Sequence, residues 1–231
     1  EGLKEIDFNY NFFSFCDQDD IWEKDKLERG VAALKNLPID KPSLYGTKTL
    51  HINEAGNKII GKSINITKKL SFKNALVQNF AGGNTMIFNS AAKQLIISSM
   101  KNINPVSHDW WIYILIAGNG GNIFYDKKPS LFYRQHNKNI MGSNKTFLGK
   151  IRRLIKLFDN SFKEYIESNL SSLRENLDLL TEENLLVLNY FCRARRSNIF
   201  IRIFFYIKSG VYRQNFMGNF IFILLIILNR I

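Results

Sequence analysis

The alternation of apolar and polar positions along the chain predicts a mixed α/β protein. An apolar run at residues 9–16 is typical of a buried strand, and a helix is predicted at about residues 24–37. Leu27, Val31 and Leu34 recur at helical spacing and predict the inward face of this helix. Strand, turn and helix in this order are typical of open α/β sheets, which present binding groups at the carboxyl ends of their strands.

The middle of the chain continues this pattern with short elements. Strands are predicted at residues 44–49, 58–64 and 122–126, and a helix at about residues 107–117. The glycine pair within residues 80–89 leads into a β-prone run, and we interpret it as a tight bend.

The last part of the chain is helical, basic and apolar. We therefore divide the chain into a mixed α/β domain at residues 1–145 and a helical extension at residues 146–231. The apolar run at residues 220–228 is far shorter than the roughly 20 residues that a membrane-spanning helix needs. The helices predicted in the extension lie at residues 147–158, 161–180 and 181–207.

Composition and charge narrow the choice of partners. The 231 residues are 45% hydrophobic, enough for a sizeable core, and 32 basic against 20 acidic residues give a formal net charge of +12. Such a chain favours polyanions, namely nucleotide phosphates, anionic lipid or nucleic acid, and charge alone does not choose among them. Against nucleic acid, we find no recognised RNA- or DNA-binding motif. No acidic residue follows Glu183, so the extension is expected to face anions. Its apolar end is expected either to pack on the core or a partner, or to attach to the inner face of the cell membrane.

The two cysteines indicate whether the protein works in a reducing or an oxidising cell compartment. Cys16 and Cys192 match no disulfide or zinc spacing, and no signal peptide is visible. These features favour a reducing, cytoplasmic setting.

The acidic turn after the first strand carries the clearest candidate chemistry. In an extended chain Asp17 and Asp19 share a face while Gln18 points away, so two carboxylates can converge on one cation. Hard oxygen ligands suit Mg²⁺ or Mn²⁺, and such a metal can hold a nucleotide diphosphate. A calcium-binding hand is excluded because Ile21 and Trp22 stand where an oxygen ligand and a glycine are needed. On this motif alone, an acidic turn that only caps a helix remains the alternative.

A second candidate lies where Ser107 is expected to cap a helix. Asp109 then falls in the first helical turn, where the helix dipole favours an ionised carboxylate that could act as a general base. Trp110 and Trp111 beside it could exclude water or stack on a sugar ring. The alternative is an acidic residue that only stabilises a helix start beside core tryptophans.

A third candidate is the basic segment that contains Arg134 and His136. The arginine fork suits a phosphate, and the histidine could join a metal or a diphosphate. Taken alone, this segment is equally typical of a solvated basic turn.

Together, these segments resemble the bacterial family 2 glycosyltransferases, especially the rhamnosyltransferase-like branch that builds surface polysaccharides. The resemblance covers roughly residues 8–142, and its motifs follow the order and spacing of that family. They are Phe-Cys-Asp-Gln-Asp-Asp-Ile-Trp at residues 15–22, Gly-Asn-Thr-Met-Ile-Phe-Asn at residues 83–89, His-Asp-Trp-Trp at residues 108–111 and Tyr-Arg-Gln-His-Asn at residues 133–137.

The resemblance implies a GT-A-like fold, a mixed sheet flanked by helices, with a metal-dependent transferase site. It implies that Asp17 and Asp19 hold Mg²⁺ or Mn²⁺ and with it a UDP- or dTDP-linked sugar. Asp109 would deprotonate a hydroxyl of a glycan or lipid-linked acceptor, in a single inverting displacement. The residues expected near the diphosphate are Asp17, Arg134 and His136, and those expected to line the donor or acceptor cleft are Trp22, Gly83, Asn84, Thr85, Trp110 and Trp111.

The start of the chain departs from this family. Its members begin with a strand, turn and helix unit that grips the nucleotide base, and only sixteen residues precede Asp17 here. We therefore expect this chain to lack that amino-terminal unit. The rival hypotheses are an inactive truncated transferase and a noncatalytic, basic, membrane-associated module, which the Arg-rich stretch at residues 193–196 favours.

Overall fold

The computed structural model describes residues 2–5, 10–100, 103–135 and 161–231. Three sequence predictions lie outside these residues: the helix at residues 147–158, the role of His136, and the division of the chain at residue 145.

The described residues form a curled, six-stranded mixed sheet flanked by helices. Its strands are β1 (Phe12–Ser14), β2 (Ile21–Trp22), β3 (Ser43–Ile52), β4 (Ile59–Lys62), β5 (Ile87–Asn89) and β6 (Asn122–Arg134). Across the sheet they follow the order β1, β5, β3, β6, β2, and β4 pairs with β3 off this path. β3 and β6 run parallel, and every other described pair is antiparallel. This architecture confirms the predicted fold class and is compatible with a GT-A-like fold.

Strand β6 is much longer than the strand predicted at residues 122–126. It pairs with β3 on both sides of an irregularity, up to Asp126 and again from Leu131 onward. Pro129 lies in this bulged stretch, where its missing backbone N–H removes no ladder hydrogen bond. The continuation carries Arg134 to the carboxyl end of β3.

Helices cover the sheet, and one of them is buried almost all round. They are α1 (Gly2–Glu5), α2 (Lys26–Leu34), α3 (Phe72–Ala75), α4 (Ser90–Ser98), α5 (His108–Gly118), α6 (Ser161–Arg174), α7 (Glu182–Arg196), α8 (Ile199–Ser209) and α9 (Phe216–Ile227), with 3-10 turns at Gly83–Thr85 and Leu177–Leu179. Every residue of α5 from Trp110 onward is buried, because the sheet, α3 and α4 all pack on it.

Helix α2 turns a different face to the sheet from the predicted one. Its buried residues are Lys26, Gly30 and Leu34, whereas Leu27 is 47% exposed, so the prediction was wrong for Leu27. Gly30 explains the difference, because the helix comes so close to Ile87 that an added Cβ would lie 2.2 Å from its Cδ1 atom. The closest approach of the helix to the sheet is therefore at Gly30, which has no side chain.

The single helix predicted at residues 181–207 is two helices, α7 and α8. Asn198 separates them, because its Oδ1 accepts a hydrogen bond from the backbone N–H of Ile201 (3.2 Å) and starts a new helix. The chain therefore changes direction in the middle of its basic segment.

The carboxyl-terminal helices share a hydrophobic cluster with the sheet side of the molecule. Phe162, Phe191 and Phe222 are buried in the same cluster as Trp110 and Phe88. The apolar end of the chain thus packs on the core along one side. Among the residues that the structure describes, no helix has both the length and the apolar character needed to cross a membrane.

Candidate active site

The acidic turn (residues 17–20) lies between the two outermost strands of the sheet. β1 and β2 stand at opposite ends of the strand order, and residues 15–20 connect them directly. At the end of this connection Ile21 pairs with Phe132 of β6. The turn is thereby held beside the carboxyl end of β6.

Asp20 is the most enclosed carboxylate of the turn, and the sequence reasoning did not single it out. It accepts hydrogen bonds from Asn84 Nδ2 and from the backbone N–H of Arg134 (3.4 Å). Burial raises the pKa of Asp20 to about 6, the two hydrogen bonds act against this rise, and the charges of Asp17 and Asp19 add to it. Because both oxygens of Asp20 face protein donors, it positions the turn rather than offering itself to a metal.

Asp17 and Asp19 lie on the more open side of the same turn. Asp17 is exposed and Asp19 half-buried, and both act on the pKa of Asp20, so the three carboxylates are close together. Carboxylate oxygens are the kind of ligand that suits Mg²⁺ or Mn²⁺, which can take its other ligands from water and a diphosphate. Within the described residues, no group of three or more His, Cys, Asp or Glu side chains could hold a metal. The metal role of Asp17 and Asp19 stays a prediction, and it requires further ligands from the substrate.

Arg134 binds the backbone of the acidic turn. Its Nε donates to the carbonyl oxygen of Asp19 (3.0 Å), and its Nη1 donates to the carbonyl oxygen of Glu54 (2.7 Å). The guanidinium therefore links the turn to the loop after β3, next to the predicted metal ligands. Its contact with a diphosphate stays a prediction.

Lys26 belongs to the site, and the sequence reasoning missed it. It is 1% exposed, its Nζ donates to the carbonyl oxygen of Asn84 (2.6 Å), and the ammonium lies 3.2 Å from the centroid of the Trp22 ring. Burial lowers the pKa of Lys26 to about 8, although nearby acidic groups act in the opposite direction. The signal that could have found it is its spacing of four and eight residues from Gly30 and Leu34. The sequence predicts this buried face of α2 only if Gly30 is counted as one of its members.

The segment after the glycine pair is a bend, as predicted, and it lies directly against the acidic turn. Asn84 and Thr85 are buried, and Thr85 Oγ1 donates to the carbonyl oxygen of Gly82 (2.8 Å). A Cβ on Gly83 would lie 2.3 Å from His108 Nε2, so the imidazole approaches a position that only glycine leaves open. The 3-10 turn thus joins the acidic turn to the start of α5.

Asp109 lies at the start of α5 and is half-buried. Its Oδ1 accepts hydrogen bonds from Ser107 Oγ and from the backbone N–H of Trp110 (2.7 Å). Among the described residues none donates to its Oδ2, which leaves that oxygen for a substrate hydroxyl. The neighbouring His108 packs edge-on against Phe15, with 5.0 Å between ring centroids, just before the acidic turn. The start of α5, which carries the candidate base, therefore lies beside the segment that leads into the acidic turn.

The three tryptophans differ in position. Trp22 is half-buried beneath Lys26 at the site. Trp110 and Trp111 are 7% and 3% exposed, and their indole N–H groups donate to the carbonyl oxygen of Ala75 (2.7 Å) and to Ser99 Oγ (3.1 Å). Both rings are covered by protein and both N–H groups are satisfied, which fits the alternative of core tryptophans beside a helix start. The place of Trp110 and Trp111 in a donor or acceptor cleft stays a prediction.

Comparison with known proteins adds one relative. No protein-family model matches the chain. The chain is similar to the dTDP-rhamnosyl transferase RfbG of Shigella flexneri, with 29% identity over 160 residues, which are 66% of this chain and 53% of the relative. It therefore spans about half the length of the curated relative it matches. This similarity supports a relationship of the chain to glycosyltransferases.

Proposed function

We propose that this chain transfers a sugar from a dTDP- or UDP-linked donor to a hydroxyl of a glycan or lipid-linked acceptor, in the synthesis of a bacterial surface polysaccharide. The observation that carries the proposal is that the acidic turn, the 3-10 turn and the start of α5 lie side by side. Asn84 bonds to Asp20, and His108, the residue before Asp109, packs on Phe15 and closely approaches Gly83. The dTDP class of donor is supported by the name of the Shigella flexneri relative.

Asp17 and Asp19 are the residues that would hold a divalent metal. Mg²⁺ or Mn²⁺ bound there would supply positive charge beside the departing diphosphate. Asp20 keeps these carboxylates in place through Asn84, and Arg134 fixes the backbone between them and β6. The site is therefore arranged before the donor binds, which lowers the ordering that binding requires.

Asp109 is the proposed base. Its Oδ2 accepts the proton of the acceptor hydroxyl while that oxygen attacks the anomeric carbon of the donor sugar. The bond between this carbon and the diphosphate oxygen breaks in the same step, so the configuration at the carbon inverts and no enzyme nucleophile is involved. Ser107 and the backbone N–H of Trp110 hold the other oxygen, which fixes the orientation of the base.

The first test is donor binding, measured by calorimetry with a panel of dTDP- and UDP-sugars in the presence and absence of Mn²⁺. We expect at least one donor to bind only with the metal, and this binding to be lost in Asp19→Asn. Asp40→Asn is the control, since Asp40 is an exposed aspartate just before the opposite end of β3 and should bind as the wild type does. Metal-dependent binding that survives in Asp19→Asn would count against the proposed metal ligands. Its absence from the wild-type chain would count against the proposal and favour the inactive truncated transferase or the noncatalytic module.

A second variant separates the base from the donor site. Asp109→Asn should keep metal-dependent donor binding but lower the transfer rate by about 10²–10⁴-fold, the usual contribution of a positioned general base. Transfer is followed by mass spectrometry of the acceptor, and NMR of the product reports the anomeric configuration. The exposed Asp178 provides the control variant Asp178→Asn, for which we expect an unchanged rate. Retention of the donor configuration would exclude the single displacement.

A further inference from the structure

Helices α8 and α9 each present an apolar outer face that no described residue covers. On α8 the most exposed large side chains are Phe200 (83%), Ile207 (69%) and Phe204 (54%), and on α9 they are Phe216 (84%), Met217 (62%) and Phe220 (52%). We call these six residues the α8–α9 face. Single exposed apolar residues are common, but a concentration of this kind on two neighbouring helices marks an interaction surface.

The inner sides of the same two helices contact each other. Arg202 of α8 is buried, and its Nη1 donates to the carbonyl oxygen of Ile226 (3.2 Å) at the end of α9 while its Nη2 donates to that of Ser197 (2.7 Å). Tyr206 packs edge-on against the buried Phe222, with 6.0 Å between ring centroids. The two helices are thus joined along their inner sides, and the six exposed apolar side chains lie on their outer sides.

Charge identifies the partner. Between Glu183 and the last residue the sequence has seven arginines and lysines and no acidic residue. Two of the seven are used within the protein, since Arg202 is buried and Arg195 pairs with Glu167 of α6. Arg193 and Lys208 are exposed next to this surface, and each lies over a phenylalanine of α8, at 5.2 and 5.7 Å from the ring centroids. A second copy of the chain would bring like charges together, whereas an anionic surface would neutralise them.

The lengths of α8 and α9 determine how these helices can contact a membrane. α9 has 12 residues and α8 has 11, so neither can span a bilayer, but each can lie in the plane of its interface. Helices of this kind bury apolar side chains at the boundary of headgroups and acyl chains and keep Lys and Arg at the headgroups.

We propose that the α8–α9 face docks onto the interface of a bilayer that contains anionic lipid. This inference does not depend on the proposed sugar transfer, although docking would hold the candidate active site near a lipid-linked acceptor.

The test measures binding of the full chain to vesicles by flotation. We expect binding to phosphatidylcholine vesicles that contain phosphatidylglycerol, much weaker binding to phosphatidylcholine alone, and a loss of binding as salt is raised. Equal binding to both kinds of vesicle, or none to either, would overturn the proposal.

Matched variants locate the surface. Phe200→Ser combined with Phe216→Ser should weaken vesicle binding by about tenfold or more. Ile39→Ser combined with Ile59→Ser removes two side chains of 69% and 57% exposure from elsewhere on the surface and should leave binding unchanged. All four positions are exposed, and thermal unfolding followed by circular dichroism checks that each variant is folded. An equal loss in both double variants would overturn the proposal.

The charges are tested in the same way. Arg193→Gln combined with Lys208→Gln should weaken binding to the anionic vesicles by about tenfold, whereas the exposed pair Lys58→Gln and Lys62→Gln should weaken it clearly less. If both pairs have the same effect, only the net charge matters and this surface is not the docking site.

Two further readouts separate insertion from self-association. Phe216→Trp should add blue-shifted indole fluorescence when anionic vesicles are present, and Ile39→Trp should not. Light scattering in the absence of lipid should give a monomer. A dimer that Phe200→Ser combined with Phe216→Ser converts to a monomer would assign the surface to a second copy instead.

Discussion

Lys26 shows how strongly the surroundings of one side chain can change its chemistry in this protein. The ammonium is enclosed between the Trp22 ring and the backbone of Asn84 and is removed from water. Removal from water disfavours the charged form, which is why the pKa of Lys26 falls from 10.5 to about 8. The folded chain therefore releases this proton at a lower pH than the unfolded chain does.

This difference predicts a pH dependence of stability. Between about pH 8 and pH 10.5 the unfolded chain binds more protons at Lys26 than the folded chain, so Lys26 contributes a rise of the free energy of unfolding with pH across this window. Burial raises the pKa of Cys192, which contributes a fall over the upper part of the same window. The rise attributable to Lys26 is at most about 3 kcal/mol. Burial and a hydrogen bond to Asp126 raise the pKa of Tyr45, which has the opposite effect at higher pH, so the clearest interval ends near pH 10.

Urea unfolding at several pH values between 7 and 10 measures this slope. We expect Lys26→Met to flatten it, and Lys35→Met, which removes an exposed lysine just after the same helix, to leave it unchanged. Identical slopes in the wild type and in Lys26→Met would show that Lys26 does not titrate differently on folding.

At the scale of elements, the position of α2 on the sheet depends on Gly30. Alanine normally stabilises a helix interior relative to glycine by up to about 1 kcal/mol. Here the added Cβ would meet Ile87 Cδ1 at 2.2 Å and Tyr45 Cδ1 at 3.1 Å, and both neighbours are buried and cannot move aside freely.

We therefore expect Gly30→Ala to lower the free energy of unfolding by about 1–3 kcal/mol, the range for an overpacked core. Chemical denaturation measures the change. Gly2→Ala is the control because no atom lies within 4 Å of the added Cβ there. A gain in stability for Gly30→Ala would mean that helix propensity dominates and that α2 can shift on the sheet.

The elements also show which parts of the fold could be predicted from the sequence. The longer strands and helices and the bend at Gly83 follow from local patterns, so they were predicted. The short elements β2 and α3 and the helix α4 were not. The continuation of β6 past Pro129 was not, because it depends on pairing with β3, which is distant in sequence. The division of the helix at Asn198 was also missed, although an asparagine is a common start signal for a helix.

The same distinction between local motifs and contacts distant in sequence applies to the candidate site. Asp17, Asp19 and Asp109 were predicted because their chemistry is expressed in short motifs. The roles of Asp20 and Lys26 were not, since each is defined by a bond to Asn84, some sixty residues away. Burial of Trp110 and Trp111 was left open because a buried and an exposed tryptophan look the same in a sequence.

At the scale of the whole molecule, the carboxyl-terminal helices and the sheet belong to one hydrophobic cluster. Phe222 is 1% exposed and packs against Phe162, whereas Phe216, on the same helix, is 84% exposed. Because the cluster is continuous, we expect the chain to unfold in one cooperative transition.

The two phenylalanines give a matched test. Phe222→Ala should destabilise the whole chain by about 3–5 kcal/mol, and Phe216→Ala should change its stability by less than about 0.5 kcal/mol. Near-UV circular dichroism reports the surroundings of Trp110 and Trp111, and far-UV circular dichroism reports the helices. We expect both signals to shift together in Phe222→Ala. An earlier loss of the helical signal alone would show that the extension unfolds separately.

The connection between β1 and β2 also limits how the chain can vary between relatives. Along a flat five-strand path the outermost strands would be about 19 Å apart, and the curl of this sheet shortens that distance. The seven steps from Ser14 to Ile21 reach at most about 24 Å when fully extended. The acidic turn uses part of that reach, so the connection has little slack. Deleting the exposed Gln18 should therefore lower the melting temperature sharply, while Gln18→Gly, which keeps the length, should not. We expect evolution to have preserved the length of this segment as strictly as its carboxylates.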